Sequence, residues 1–257
     1  MRLSLLSVLF VFVVALQAQC PRAALLPMPN NMEVYEGKKP FRFSEKQVIN
    51  APLDELDWEC KQLLVDVLKK HFGAELTILN TNKAAFWLQL DPTIESKEGY
   101  ELEVTNKCVK ITAATPAGLF YGIQTLDQIL MGDQRSTLNG EIRQLKITDA
   151  PRFGFRALML DPARHFLPVK DVKFFIDQMA RYKFNVLQLH LTDDQGWRVE
   201  IKSQPKLASK QHYTQEELRD IVEYARKRGV QVIPEVDVPG HTVAILAAYP
   251  HLACTHK

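Results

Sequence analysis

The second part of the sequence alternates short apolar segments with amphipathic ones, and this alternation limits the possible folds more than any other feature. Nearly continuous apolar runs predict strands at residues 155–160, 185–191 and 230–234. Helical periodicity after the first two runs predicts helices at residues 169–184 and 214–228. Apolar strands that alternate with helices are typical of a parallel sheet covered on both faces. We therefore expect an α/β fold, either a (β/α)8 barrel or an open doubly wound sheet.

Local signals mark both ends of the second of these helices. Thr214 and Glu217 have the spacing of a capping box, in which each side chain bonds to the backbone N–H of the other residue. Gly229 stands where a helix ends and suits the left-handed backbone that a helix stop requires.

The residues before Pro151 follow a different pattern. They predict extended segments within residues 31–43, a strand at 86–90, and a hairpin formed by 100–104 and 108–111. Helices are predicted at residues 53–72 and 116–130. The mixed order indicates a small α+β domain over residues 19–150, followed by a separate domain over residues 151–257.

The first 18 residues have the layout of a secretory signal peptide. Arg2 precedes an apolar run over residues 3–16, and the small residue Ala18 provides a cleavage point. The run is shorter than the ~20 residues that a membrane span needs, so no stable span is expected. A lipid anchor on Cys20 is the less favoured alternative, because Gln17 and Gln19 make a poor small-residue run before it. The expected location is therefore secreted or periplasmic.

Charge and cysteine spacing exclude several classes of partner. Lys and Arg number 32 against 30 Asp and Glu, which gives a net charge of +2. Such a balance provides no basic surface for nucleic acid and no attraction to an anionic membrane. The 4 cysteines include no CxxC pair, which argues against a thiolate metal site and leaves any disulfide pairing open.

Ionisable residues follow each of the three predicted strands of the second domain. The segments after them read DPARHF at 161–166, HLTDDQGWR at 190–198 and PEVDVPGH at 234–241. The carboxyl ends of parallel strands meet at one edge of a sheet or barrel, where α/β enzymes carry their active sites. We therefore expect these carboxylates, histidines and arginines to converge in one polar site.

Other chemistries are less well supported. No Gly-rich loop follows the first predicted strand, so neither a dinucleotide nor a phosphate cofactor is expected. No GxSxG segment occurs to supply an α/β-hydrolase nucleophile. A divalent-metal hydrolase stays an alternative, with candidate ligands His190, Asp193, Asp237 and His241. Their spacing is not a compact ligand motif, and we expect no bound metal.

The three strand-end motifs, in this order, resemble the start of the catalytic barrel of glycoside hydrolase family 20, the β-N-acetylhexosaminidases. The segments LPMP at 26–29 and GLFYGIQTL at 118–126 are similar to the α+β domain that precedes that barrel. The resemblance implies a retaining exo-hydrolase that removes terminal β-linked N-acetylglucosamine or N-acetylgalactosamine from a glycan, chitooligosaccharide or glycoconjugate. It also implies that the acetamido oxygen of the substrate takes the place of a protein nucleophile.

The resemblance assigns roles to individual residues. Arg164 matches the family arginine that binds hydroxyls of the terminal sugar, a task suited to a planar fork of donors. An ion pair with Asp161 is the alternative. Asp193 and His241 match a dyad in which the carboxylate orients the imidazole and the imidazole supports the general acid. Packing or bracing within the three loops is expected of His165, Asp194, Trp197, Glu235 and Asp237.

One part of the family pattern has no counterpart here. The family carries an adjacent Asp-Glu pair after its fourth strand, whereas the only Asp-Glu dipeptide in this sequence is Asp54-Glu55, in the predicted first helix. The roughly 100 residues after Pro151 also fall short of the ~250 of a complete barrel. The expected fold is thus an incomplete barrel with three βα units. Two hypotheses stay open: an exo-β-N-acetylhexosaminidase that is inactive as this chain, and a non-catalytic carbohydrate-binding remnant.

Overall fold

A computed structural model of the chain describes residues 25–43, 46–50, 58–73, 75–78, 84–132 and 141–254. The predicted signal peptide, Cys20 and the Asp54-Glu55 dipeptide lie outside the described residues. Among the helices within these ranges, none combines the length and the apolar character needed to cross a membrane.

In its described residues, the first part of the chain forms a mixed sheet of seven strands with two helices. The strands, in chain order, are β1 (Asn31–Val34), β2 (Phe41–Arg42), β3 (Lys46–Asn50), β4 (Glu75–Ile78), β5 (Phe86–Leu90), β6 (Tyr100–Val104), β7 (Val109–Ala113), β8 (Glu141–Ile142) and β9 (Leu145–Asp149). The helices are α1 (Trp58–Phe72) and α2 (Pro116–Gly132). The sheet order is β1-β9-β6-β7-β5-β3-β4, and β2 pairs separately with β8. The α+β arrangement that the sequence predicts is confirmed.

The core of this part lies between the sheet and α2. The predicted hairpin is confirmed, since β6 and β7 pair antiparallel with Tyr100 opposite Ala113 and Val104 opposite Val109. Alternate residues of β6 and β7 are buried, as period-2 patterning requires. The fully buried side chains of this core include Leu102, Ile111, Leu119, Ile123 and Leu126.

Two glycines let α2 approach the sheet closely. A Cβ at Gly118 would overlap the backbone carbonyl oxygen of Gly99, and a Cβ at Gly122 would overlap the side chain of Ile111. Because neither obstacle is the far end of a flexible side chain, these positions of the helix require glycine.

The second part of the chain begins a parallel α/β fold. Its elements are β10 (Ala157–Leu160), α3 (Val169–Arg181), β11 (Val186–His190), β12 (Thr192–Asp193), β13 (Gly196–Trp197), α4 (Gln215–Arg226), β14 (Gln231–Glu235) and α5 (Val243–Ala248), followed by a 3-10 turn at Pro250–Leu252. The main strands pair parallel in the order β10-β11-β14, and β12 and β13 form a small antiparallel ribbon. The three parallel strands and the helices α3 and α4 lie within a few residues of their predicted ranges, whereas β12, β13, α5 and the 3-10 turn had no predicted counterpart.

The end signals of α4 are also confirmed. The Thr214 hydroxyl accepts a hydrogen bond from the Glu217 backbone N–H at 3.1 Å, and Glu217 Oε2 accepts one from the Thr214 backbone N–H at 2.8 Å. Gly229 has φ +68°, the left-handed conformation expected of a helix stop.

The prediction that all three parallel strands are buried on both faces is correct only for β11. Helices α3 and α4 cover one face of the sheet, where the side chains of Leu158, Leu187 and Val232 pack. On the other face, Met159 of β10 and Ile233 of β14 are exposed, and both align with the half-buried Gln188 of β11. The apolar runs predicted the positions of the strands correctly. They did not predict that one face of β10 and of β14 is exposed.

Side-chain contacts fasten the two parts of the chain together. The Arg156 guanidinium, just before β10, donates hydrogen bonds to Glu98 Oε1 at 2.8 Å and to the Tyr121 hydroxyl at 2.9 Å. The Gln128 amide of α2 donates to the backbone carbonyl of Arg181 at the end of α3 at 2.9 Å. The first βα unit is thereby fixed against the small domain.

Candidate active site

The loops after β10, β11 and β14 meet at one edge of the three-stranded sheet. Parallel pairing places Leu160 beside Leu189 and His190 beside Glu235, so the three strands end at the same level. The loops bond to their neighbours, since the Ala163 N–H donates to the His190 carbonyl at 3.2 Å. The convergence of the strand-end residues that the sequence predicts is therefore present.

Asp193 is the centre of the site and is 2% exposed. Its Oδ2 accepts a hydrogen bond from His190 Nε2 at 2.9 Å and lies 2.6 Å from Arg164 Nη2. Its Oδ1 accepts a hydrogen bond from the Asp194 backbone N–H at 2.6 Å and lies 3.2 Å from His241 Nδ1. A carboxylate offers about four acceptor positions, and four nitrogens surround this one.

These neighbours decide the charge of Asp193. Burial acts to raise the pKa of its carboxyl, but the hydrogen bonds from His190 and the Asp194 N–H, with the charge of Arg164, outweigh burial and lower the pKa. Asp193 is therefore a carboxylate at neutral pH.

Arg164 joins two carboxylates while part of it faces solvent. Its Nη1 lies 2.5 Å from Asp161 Oδ2 and its Nη2 lies 2.6 Å from Asp193 Oδ2, with its side chain 43% exposed. The Asp161 side chain also accepts a hydrogen bond from the Arg164 backbone N–H at 3.0 Å. The ion pair considered as the alternative role of Arg164 is present, and Asp193 is a second partner. Both anions orient a guanidinium whose exposed edge can receive a ligand.

His241 lies at the mouth of the site on a backbone with φ +54°. A positive φ is uncommon for a residue other than glycine, and such conformations cluster at functional sites. Its loop is held by two hydrogen bonds, from the Asp237 N–H to Thr192 Oγ1 at 2.9 Å and from the Val243 N–H to Asp194 Oδ1 at 3.0 Å. The imidazole is 48% exposed, with Nδ1 toward Asp193. The geometry brings the expected Asp193–His241 pair together.

Glu235 and His190 take positions that sequence reasoning did not assign. Glu235 was expected to brace the third loop. Instead, its Oε2 accepts a hydrogen bond from Gln188 Nε2 at 2.6 Å and its Oε1 lies 3.2 Å from His190 Nδ1. His190 and Glu235 are directly paired across β11 and β14, which places the carboxylate beside the imidazole.

Arg198 is a further residue of this region that the sequence did not single out. Its buried guanidinium donates to the backbone carbonyls of Ala163 at 2.9 Å and of Gln211 at 3.0 Å, and it also bonds to Pro162. A Cβ at Gly196 would overlap this guanidinium. Arg198 thus ties the Arg164 loop to the loop after β13, and Gly196 leaves the space for it.

The remaining loop residues divide between packing and solvent. Trp197 is buried and its indole N–H donates to the Val199 carbonyl at 2.9 Å, as expected. Asp194 accepts the hydrogen bond from Val243 already described. His165 is exposed and does not pack, but its backbone N–H donates to the Asp161 carbonyl at 3.4 Å within the same loop. Asp237 Oδ2 is 3.9 Å from His241 Nε2.

The site does not favour a metal ion. One ligand atom each from Asp193, Asp194 and His241 can be found within 4.8 Å of one another. The guanidinium of Arg164 and the imidazole of His190 already bond to Asp193, however, and the fixed positive charge of Arg164 repels a cation. Of the four ligands suggested by the sequence, His190 points one ring nitrogen at each of two carboxylates and has none left for a metal.

Comparison with known families and proteins identifies what this chain resembles. The family model for the glycosyl hydrolase family 20 catalytic domain matches residues 153–257, and that for domain 2 of the same family matches residues 22–150. A β-hexosaminidase of Porphyromonas gingivalis is 39% identical over 90% of this chain and 32% of its own length.

Solved structures give the same result. The Streptomyces plicatus N-acetyl-β-hexosaminidase in complex with thio-NAglucal superimposes with a TM-score of 0.80 at 35% identity, over 90% of this chain and 49% of that one. The Vibrio harveyi exo-β-N-acetylglucosaminidase in complex with N-acetylglucosamine does so with a TM-score of 0.79 at 36% identity, over 90% and 39%. The chain spans about a third to a half of the length of these relatives.

Proposed function

This chain belongs to glycosyl hydrolase family 20, and we propose that it supplies the small domain and the first three βα units of the catalytic barrel of an exo-β-N-acetylhexosaminidase. The observation that carries this proposal is the placement of Asp193 between Arg164 and His241 at the strand ends. These are the residues for which the family resemblance predicts one shared site, and they come from three separate loops.

The proposed reaction removes a terminal β-linked N-acetylhexosamine with retention of configuration. In this scheme the acetamido oxygen of the substrate attacks the anomeric carbon, which is the known exception to the use of two carboxylates. The half-exposed guanidinium of Arg164 would donate to hydroxyls of the terminal sugar from a fork held by Asp161 and Asp193. The N-acetylglucosamine bound to the V. harveyi relative supports this choice of ligand class.

His241 would act on the reaction through a further group. Its Nδ1 lies toward Asp193, its Nε2 is 3.9 Å from Asp237 Oδ2, and its side chain is 48% exposed. In the family the imidazole supports a glutamic acid that protonates the leaving oxygen. The sequence contains no Asp-Glu pair other than Asp54-Glu55, and we therefore propose that this chain alone binds the sugar without hydrolysing it.

The location of the protein is a separate proposal. The signal-peptide pattern of the first 18 residues supports export to the periplasm or the exterior, with cleavage after Ala18. Edman sequencing of the exported protein is expected to begin at Gln19. A product that begins at Cys20 and carries a lipid would favour the alternative.

Binding and hydrolysis can be tested on the same preparation. Addition of N-acetylglucosamine to the 15N-labelled chain is expected to shift the amide signals of the non-proline residues in 161–165, 192–198 and 236–242. Glucose is expected to cause no such shifts. Arg164→Ala is expected to abolish the shifts. The matched control is Arg219→Ala, which removes an exposed arginine on α4 and is expected to retain them.

Hydrolysis of a chromogenic β-N-acetylglucosaminide by the same preparation is expected to stay at the level of a mock sample, because general acid catalysis contributes a factor of ~100 to 10,000. Turnover above that level would overturn the proposed inactivity and leave the family function in place. If N-acetylglucosamine shifts only the amide signals of residues outside these three loops, the proposed site is wrong.

A further inference from the structure

His190 at the end of β11 stands between two carboxylates. Its Nε2 is 2.9 Å from Asp193 Oδ2, and its Nδ1 is 3.2 Å from Glu235 Oε1. Its side chain is 7% exposed, so water has little access to either nitrogen. Each ring nitrogen therefore has a carboxylate oxygen as its nearest polar partner.

The chemistry of these partners determines the protonation of the ring. An ionised carboxylate only accepts hydrogen bonds, and a neutral imidazole carries a hydrogen on only one of its two nitrogens. A neutral His190 would direct the lone pair of the other nitrogen at a negatively charged oxygen. Both contacts are favourable only if both nitrogens carry hydrogen.

We propose that His190 is a positioning residue that is protonated at neutral pH, and that its positive charge links Glu235 to Asp193 and so fixes the oxygens that Arg164 and His241 face. His190 would not touch the substrate. Its effect on sugar binding rests on the proposed function, whereas its charge does not.

The second carboxylate is itself held in place. Glu235 Oε2 accepts a hydrogen bond from Gln188 Nε2 at 2.6 Å, which leaves Oε1 for His190. Hydrogen bonds and ion pairs thus run without interruption from Gln188 through Glu235, His190, Asp193 and Arg164 to Asp161. This network crosses all three parallel strands where they end.

The charges around His190 favour its protonated form. The groups that face it are Asp161 and Arg164 after β10, Asp193 on β12, and Glu235 on β14, so three anions stand against one other cation. Burial opposes a charge on the ring, but the hydrogen bonds to Asp193 and Glu235 and the charges of Glu235 and Asp161 outweigh it and raise the pKa of His190. The geometry and the charge balance agree.

A different arrangement of the proton gives a distinct alternative. If the hydrogen between His190 and Glu235 belonged to Glu235, a neutral carboxylic acid would donate to Nδ1 of a neutral imidazole. The distance of 3.2 Å suits either arrangement. The two differ in whether Nδ1 of His190 carries hydrogen.

Nitrogen NMR of the full chain with 15N-labelled histidine distinguishes them. The His190 signals are assigned by their loss in His190→Gln. We expect both ring nitrogens to be protonated at pH 7, with a titration midpoint above the ordinary histidine value of about 6.5. A single protonated nitrogen at pH 7, or a midpoint at or below that of an ordinary histidine, would overturn the proposal.

Glu235→Gln supplies an independent test, because it keeps the shape of the partner and removes its charge. We expect the His190 midpoint to fall by about one pH unit, which is a tenfold loss of proton affinity. His212, whose Nδ1 lies 2.8 Å from the Ser209 backbone carbonyl, serves as the internal control and is expected not to move. An unchanged His190 midpoint would contradict the proposal.

The positioning role has its own readout in sugar binding. The affinity for N-acetylglucosamine is expected to fall as pH rises through the His190 midpoint, and the fall is expected to move to lower pH in Glu235→Gln. An affinity that does not follow the midpoint would remove the positioning role. If no sugar binds at all, the proposed function fails, while the nitrogen signals still decide the charge of His190.

Discussion

Lys183 Nζ lies 2.9 Å from Asp149 Oδ2, and this ion pair joins the loop after α3 to the last strand of the small domain. Both side chains are at least nine-tenths buried, and Lys183 Nζ also donates to the Tyr100 hydroxyl at 2.8 Å. Lys183 has φ +62°, an uncommon backbone for a lysine, which places its side chain in this site.

Lys183→Met is expected to destabilise the chain by about 3 kcal/mol, because it leaves the buried Asp149 carboxylate without its cation. The double variant Lys183→Met with Asp149→Asn is expected to lose less than the sum of the two single changes. Denaturant unfolding measures each value. The matched control is Lys146→Met in β9, whose lysine pairs with Glu101 on the surface and which is expected to cost at most about 0.5 kcal/mol. Equal losses at the two lysines would contradict this prediction.

Gly196→Ala is expected to lower stability by about 1 to 3 kcal/mol, because the added Cβ overlaps the Arg198 guanidinium. Displacement of Arg198 would also release the Arg164 loop, so we expect weaker binding of N-acetylglucosamine. Gly154→Ala is the control, since its Cβ would meet no atom within 4 Å and its φ is not positive. Thermal unfolding and a sugar titration compare the two variants, and similar behaviour of both would count against the packing argument.

Arg164→Lys is expected to weaken N-acetylglucosamine binding about tenfold, as the loss of one charge-assisted hydrogen bond of ~1.5 kcal/mol implies. Lysine keeps the charge but lacks the planar fork that bonds to Asp161 and Asp193 together. Calorimetric titration provides the measurement, with Arg219→Lys as the exposed control. Unchanged affinity of Arg164→Lys for N-acetylglucosamine would show that a positive charge at this position is sufficient for binding and that the planar fork is not needed.

Asp193→Asn and His241→Ala are each expected to weaken sugar binding, and the double variant is expected to bind about as well as the weaker single variant. The reason is that the two side chains face each other at 3.2 Å and act as one unit. The affinities of the four proteins form a double-mutant cycle with an expected coupling of ~0.5 kcal/mol or more. Additive losses of binding free energy would show that the two residues act independently and would contradict this prediction.

Stability is expected to fall on the alkaline side through His190. Because folding raises the pKa of this group, its contribution is complete below the unfolded value of about 6.5 and is lost as pH rises through the folded value. Asp193 affects stability in the opposite direction. Because folding lowers the pKa of its carboxyl, its contribution to the free energy of unfolding is lost as pH falls through the folded value. Urea unfolding between pH 5 and 9 checks the alkaline fall. We expect Glu235→Gln to reduce it and His212→Gln to leave it unchanged.

Local sequence determined much of the secondary structure. The capping box of Thr214 and Glu217, the stop at Gly229 and the β6–β7 hairpin were all predicted and are present. Each depends on interactions between residues close in the chain, and spacing alone reports such interactions. The three acid-bearing strand ends were also predicted, because the carboxyl ends of parallel strands share one edge.

Tertiary structure alone decided the partners of the charged groups. Glu235 was predicted to brace a loop. The strand register instead sets it beside His190, where it is the second carboxylate partner of the imidazole. Arg198 likewise donates hydrogen bonds to backbone carbonyls of loops that are distant from it in the sequence. A strand-end motif specifies which charges reach the edge of the sheet, but the pairing of those charges depends on strand register and loop geometry. Those are properties of the packed chain, because they are fixed by contacts between residues far apart in the sequence.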